Sequence, residues 1–265
     1  MQSSARILAV ANRKGGTGKS TTVVNLAAEL AARGYRTLVV DLDPQGHAGL
    51  GFGIFAKPGE PTSHSALTSR HAALTAGIRR TQEPDLDVLP ADRDFDGTIR
   101  VAEPRAFAAA LEPLRSAYDV ILIDTPPASS RLIVCALLAC EGVIVPTALE
   151  HLSLDGVRQF AKAYHGVAQS LHGGLLGLAI LPMRVDLRSN VQKDVLEHLT
   201  RSFGLDQIVS GVRTDTKVSE AFGCRQPLRR YEGRARAVLD FSAVATEIVR
   251  RFACHMMAAP DLVAI

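Results

Sequence analysis

Lys14-Gly15-Gly16-Thr17-Gly18-Lys19-Ser20-Thr21 is the stretch on which the reading of this chain turns. It follows the apolar run Ile7-Leu8-Ala9-Val10-Ala11, which predicts a buried strand. It precedes residues 22–32, where Val23, Leu26, Ala27 and Leu30 share one face of a predicted helix. Between strand and helix, closely spaced glycines let the backbone curl so that successive N–H groups face phosphate oxygens. The helix N-terminus adds its partial positive charge. In that setting Gly15, Gly16, Thr17, Gly18 and Thr21 form the cradle, Lys19 reaches the β/γ-phosphates and the Ser20 hydroxyl sits on Mg²⁺. The strict pattern G-x-x-x-x-G-K-S/T is not met, because its first glycine falls on Arg13. A second lysine, Lys14, stands before the glycine pair instead. A glycine turn with incidental lysines is the plainer alternative, and the flanking strand and helix argue against it.

Two further strands end on carboxylates. Tyr35 to Val40 closes on Asp41-Leu42-Asp43-Pro44-Gln45-Gly46, and Tyr118 to Ile123 closes on Asp124, followed by Thr125-Pro126-Pro127. A strand-terminal Asp alone is most often a turn former. Beside a phosphate loop it can hold Mg²⁺ through a water.

The rest of the chain keeps the same rhythm. Residues 44–66 read as loop or mobile helix, and a short strand spans Leu86 to Leu89. Helices are expected at about 101–116, 132–139, 154–170, 189–203 and 234–256, with strands at 143–145, 175–181 and 208–212. Alternating β and α elements with apolar strands predict an α/β fold of three layers. Its mostly parallel twisted sheet would carry helices on both faces, within a single domain spanning 1–265.

Composition narrows the function classes. The 265 residues carry 30 Lys and Arg against 27 Asp and Glu, a formal net charge of +3, so any nucleic-acid binding must come from a local patch. Residues 213–236 supply one, with seven basic residues against three acidic. Trp is absent and aromatics are 5%, which argues against stacking platforms for single strands. Cys135, Cys140, Cys224 and Cys254 lack zinc-like spacing and read as reduced thiols. No apolar run reaches the ~18 residues of a membrane span.

Taken together, the loop at 14–21 resembles the deviant Walker A motif, K-G-G-x-G-K-S/T, of the ParA/MinD class of P-loop ATPases. Asp41 to Gly46 resembles the D-x-D-P-Q-G switch of the ParA/Soj branch, and the likeness runs from about Ile7 to Val249. The resemblance implies a P-loop NTPase fold with ATP and Mg²⁺ as cofactors. By it, Lys14 crosses a homodimer interface to the partner's nucleotide, Lys19 holds phosphate, and Asp43 orients the attacking water. Asp43 joins Ser20 and Asp124 at the metal. Asp41 helps organise that region or is simply a surface carboxylate.

Glu150 to Gly156 is similar to the family's E-x-x-x-L-x-G near the subunit interface, although a helix start capped by Ser153 explains it equally well. Met183 to Asn190 resembles the adenine-binding segment, so Met183 and Arg213 join the nucleotide contacts. Residues 213–221 resemble P-R-N-x-R-x-S-E-A, with Arg213 for the proline, Thr214 for the first arginine and Lys217 for the second. Lys217, Arg225, Arg229 and Arg230, with Arg188 and Lys193, match the surface that binds DNA without sequence preference. The implied partners are a second copy of the chain, DNA and a ParB-like centromere-binding protein. The implied place is the cytoplasm, on the nucleoid, without stable membrane association.

Other readings share the loop. A MinD-like membrane ATPase needs an amphipathic C-terminal helix, whereas Val238, Phe241, Ala245, Ile248 and Phe252 space like a core face. An iron–sulfur electron carrier needs two cysteines per subunit near a glycine-rich switch, whereas Cys135 and Cys140 lie in an apolar helical run and read as small buried hydrophobes. An amide-forming ligase needs a second-substrate site that no motif identifies. A ParA-like positioner of a protein cargo stays open.

Overall fold

The computed structural model describes residues 4–68, 74–98, 105–127, 130–170 and 176–255. Its strands are β1 (Arg6–Val10), β2 (Thr37–Asp41), β3 (Arg79–Arg80), β4 (Leu86–Leu89), β5 (Val120–Asp124), β6 (Gly142–Ala148), β7 (Gly177–Val185) and β8 (Val212–Arg213). Its helices are α1 (Lys19–Ala31), α2 (His47–Gly51), α3 (Ser65–Thr68), α4 (Ala106–Leu111), α5 (Ser130–Ala139), α6 (His151–Ser170), α7 (Asn190–Phe203), α8 (Thr216–Gly223), α9 (Leu228–Tyr231) and α10 (Arg236–Arg251).

The strands form one sheet in the order β3-β4-β2-β5-β1-β6-β7-β8, parallel throughout except for β3 on β4. Strand residues alternate between its two faces. Ile7, Ala9, Leu38, Val40, Ile121 and Ile123 pack under α4, α5, α6 and α7. Leu8, Val10, Val39, Val120 and Leu122 pack under α1 and α10. Both faces are covered, which is why these strands are continuously apolar. Each fully buried Leu, Ile, Val or Phe contributes about 1.5–3 kcal/mol. The α10 face foreseen from spacing is buried from Val238 to Phe252, whereas Leu239 is 69% exposed. That apolar face is therefore held by the sheet.

Topology makes the crevice. The chain leaves β1 for β2 through α1 on one face, and leaves β5 for β6 through α5 on the other. The connections part around β1, opening a space at the C-terminal ends of the strands. Val10 and Asp41 are both in register with Asp124, so the loop and the carboxylate-bearing turns start side by side.

Several elements depart from expectation. The helix foreseen at 101–116 is α4 followed by a 3₁₀ turn at Glu112–Ser116, because Pro113 cannot continue the α-helical bonding; residues 101–104 lie outside the described set. Strand 175–181 runs instead to Val185 through a register shift between Met183 and Val185, where Arg184 has φ 56°. The strand foreseen at 208–212 is only Val212–Arg213, with a single bridge from Ile208 to Ile180. The last helix stops at Arg251, and its expected end at Met256 lies outside the described residues. Helices α8 and α9 were not anticipated, although Asp215 caps α8 by accepting from the Lys217 N–H at 3.0 Å.

Candidate functional site

The glycine loop joins β1 to α1 as its spacing predicts. Gly18 stands at the N-cap with φ 93°, which a side chain tolerates poorly, and a Cβ there would lie 3.2 Å from Met183 Cε. Asn12 fixes the approach: its Nδ2 donates to the Pro146 carbonyl at 2.8 Å and its Oδ1 accepts from the Lys14 N–H at 3.1 Å. Thr125 pins the neighbouring turn by donating to the Val10 carbonyl at 2.9 Å.

Residues 16–21 line a cavity of about 420 Å³ together with Asp43, Gln45, His47, Leu50, Pro127 and Phe222. Lys19 is nearly buried, and burial lowers its pKa against the pull of Asp124 and Asp43. Asp124 is fully buried, and neither carboxylate oxygen makes a well-formed hydrogen bond among the described residues, although the Ser20 hydroxyl and the Thr125 N–H lie close by. Burial pushes its pKa up to about 7, while the Ser20 hydroxyl and the Lys19 ammonium pull it down. An unpartnered buried carboxylate beside a hydroxyl offers oxygens to a hard cation, while the Lys19 ammonium suits a phosphate oxygen.

Asp41 has a different task. Fully buried, it accepts from the Asp43 N–H at 3.2 Å and the Gly49 N–H at 2.8 Å, so it ties the turn to α2. Burial first, and Asp124 next, hold its pKa well above the usual carboxylate range. It is therefore no surface carboxylate. The Asp43 carboxylate accepts from the Gln45 N–H at 3.0 Å and faces the cavity.

Lys14 points away from the cavity. Its ammonium donates to Glu150 at 2.8 Å and to the Ser153 hydroxyl at 3.2 Å. Arg184 lies 3.9 Å from the other Glu150 oxygen and 3.4 Å from the Gly16 carbonyl. The Lys14 bond, with the charge behind it, lowers the Glu150 pKa.

The proposed base contacts are not gathered here. Met183 is buried beneath Gly18, with Thr22 donating to its sulfur at 3.7 Å. Arg213 is held by Asp240 of α10, at 3.0 Å from both carboxylate oxygens through Nε. Neither lines the cavity. Sequence reasoning missed Gln45, His47, Leu50, Pro127 and Phe222 as cavity walls; the position of Phe222 on the unanticipated α8 explains one of them.

The basic surface is less free than its charge count suggests. Arg188 is bound by Asp186 at 2.7 Å, Lys217 by Glu220 at 2.7 Å, Arg229 by Glu29 at 3.3 Å and Arg230 by Glu83 at 3.4 Å. Lys193 is exposed on α7, and Arg225 is exposed beside the Phe55 ring.

Comparison with known proteins bears on the family and the fold. A family model described as an AAA domain matches residues 5–175. The chromosome partitioning protein ParA of Caulobacter vibrioides is 32% identical over 253 residues, covering 93% of this chain and 94% of its own. The sporulation initiation inhibitor protein Soj of Bacillus subtilis is 32% identical over 248 residues, covering 92% and 98%. A solved structure of cobyrinic acid a,c-diamide synthase from Mycobacterium smegmatis, with bound ATP analogue and magnesium, has a TM-score of 0.81 at 29% identity. It covers 97% of this chain and 100% of that one.

Proposed function

The chain belongs to the ParA/Soj branch of the P-loop ATPases, and on that premise we propose an ATP-driven partition or positioning switch that works as one domain. The carrying observation is the buried, unpartnered Asp124 carboxylate beside Ser20 and Lys19 at the mouth of the glycine loop. The N–H groups of residues 15–21 and the Lys19 ammonium hold the β/γ-phosphates of ATP. Ser20, Asp43 and Asp124 hold Mg²⁺, which when bound neutralises phosphate charge. Asp43 accepts from the attacking water and orients it in line. Phosphoryl transfer here needs positioning and charge compensation rather than a covalent intermediate.

ATP joins two copies of the chain, and each Lys14 then leaves Glu150 for the other copy's phosphates. The dimer binds DNA through its basic surface, and a ParB-like partner stimulates hydrolysis and release. The cargo is a chromosome, a plasmid or a protein assembly carried on the nucleoid. An amide-forming ligase reading draws on the name of the Mycobacterium smegmatis neighbour, and phosphate release only with a carboxylic acid and an amine donor would favour it.

Three variants test the switch. Lys19→Ala abolishes nucleotide binding, Asp43→Ala binds ATP and accumulates dimers without turnover, and Lys14→Ala keeps nucleotide but loses dimer-linked turnover. An unchanged rate in Lys14→Ala overturns the cross-interface role.

A further inference from the structure

Two arginines converge on one aromatic ring beside the switch turn. The guanidinium carbons of Arg93 and Arg225 lie 5.8 and 5.6 Å from the centre of the Phe55 ring, within cation–π range. Both side chains are exposed, and neither has a carboxylate partner within ion-pair distance among the described residues. That sets them apart from Arg188, Lys217, Arg229 and Arg230, each neutralised by an acid.

The arrangement is unfavourable for a merely solvated surface. Two like charges are drawn to one ring, although guanidiniums repel. Arg225 also has φ 57°, a left-handed conformation that costs a non-glycine residue about 1–2 kcal/mol. An exposed cation–π contact returns only about 0.5–1 kcal/mol. Glycine would form this turn without strain, so the fold itself does not call for arginine here. Strain of this kind collects where a side chain has a function. Two planar forks with unused N–H donors match phosphodiester oxygens.

The pair is also fastened to the nucleotide switch. A Cβ on Gly46 (φ 66°) would meet Arg93 Cγ at 3.2 Å, and one on Gly53 would lie 3.7 Å from Arg225 Cβ. Between those glycines the backbone is continuous: the Gly46 N–H donates to the Asp43 carbonyl, the Leu50 N–H to Gly46 and the Gly53 N–H to Leu50. Neither arginine lines the nucleotide cavity.

We propose that Arg93 and Arg225, gathered at the Phe55 ring, form a binding site for the phosphodiester backbone of double-stranded DNA, packed against the segment that follows Asp43. The inference rests on the DNA-binding reading above, which already includes Arg225, and adds Arg93 and the Phe55 ring that gathers the two. A displacement of the Asp43–Gly46 turn reaches Arg93 through Gly46 and Arg225 through α2.

The test uses the full chain with Mg²⁺ and a non-hydrolysed ATP analogue, titrated into a duplex of arbitrary sequence over a range of salt. The double variant R93Q/R225G should bind about tenfold more weakly, and its log–log salt slope should flatten by about two units. R158Q removes one charge from α6, on the sheet face opposite Phe52 and Phe222, and should leave the slope as it is. R225G alone should raise the thermal midpoint while weakening DNA binding, a combination that damage to the fold would not produce. If the native chain binds DNA and R93Q/R225G keeps its slope, this site is overturned and the DNA reading stands. If the native chain binds no DNA with the analogue, the DNA reading falls and takes this site with it.

Discussion

The Lys14 ammonium lies 2.8 Å from the Glu150 carboxylate, a contact spanning 136 residues of sequence between the glycine loop and the turn after β6. Lys14 is 35% and Glu150 56% exposed at the side chain, so water and salt screen the pair. Such pairs contribute about 0.2–1 kcal/mol. A contact of that size holds the lysine in place and is readily exchanged for a partner's phosphates.

Glu150→Gln should therefore favour the dimer. It removes the charge that holds Lys14, and the ATP concentration giving half-maximal dimer should fall about two- to fivefold, as the energy of the pair allows. Light scattering against ATP concentration measures this. A requirement for more ATP would reject the idea that Glu150 restrains Lys14.

Asp124→Asn should act in opposite directions on stability and binding. The amide keeps the shape and removes a buried charge whose oxygens lack partners, which should stabilise the nucleotide-free chain by roughly 1–3 kcal/mol. The same change removes the anionic ligand for a hard cation. Thermal midpoints with and without Mg²⁺ and ATP should show a higher baseline and little further rise on adding both. A baseline equal to the native chain's would mean that Asp124 is already compensated by Lys19.

Local chemistry explains what could be read from sequence. The continuous apolar runs at Ile7 to Ala11 and Val120 to Ile123, short and bounded by turn-forming residues, read as strands covered on both faces. The glycines of 14–18 declare their own loop, and the α10 face follows from residue spacing alone. Long-range pairings leave no such trace. Nothing near Lys14 names Glu150, nothing near Arg213 names Asp240, and Phe55 does not advertise two arginines drawn from 93 and 225. Short elements were also hidden: α8 and α9 are fixed by packing and by the Asp215 cap rather than by a long period.

Arg213 supplies a direct check on base recognition. Asp240 is almost buried, and Arg213 binds it through Nε and the backbone N–H, each at 3.0 Å. Arg213→Ala should lower the thermal midpoint, because it leaves a buried carboxylate without its cation. Nucleotide affinity should change little, since Arg213 does not line the cavity. A titration of ATP into Arg213→Ala decides the matter: a large loss of affinity, with the fold intact by circular dichroism, would restore Arg213 to the adenine site.

His64 should make the chain sensitive to mild acid. It is 1% exposed, stacks on Phe95 with ring centres 4.2 Å apart, and accepts from the Asp92 N–H through Nδ1 at 3.0 Å. The adjacent Ser63 hydroxyl donates to the Asp41 carbonyl, so this segment backs the Asp41–Asp43 turn. Burial lowers the His64 pKa from 6.5 to about 4, with Asp92 opposing. The folded chain thus keeps His64 neutral where the unfolded chain already takes up a proton. Stability is full above pH 6.5 and falls as the pH drops from 6.5 towards 4, by as much as roughly 3 kcal/mol at the lower end. His64→Asn retains an acceptor for Asp92 but does not titrate. Urea midpoints at several pH values between 4 and 7.5 should then decline less steeply in the variant. Parallel declines in both proteins would assign the acid sensitivity to the carboxylates instead.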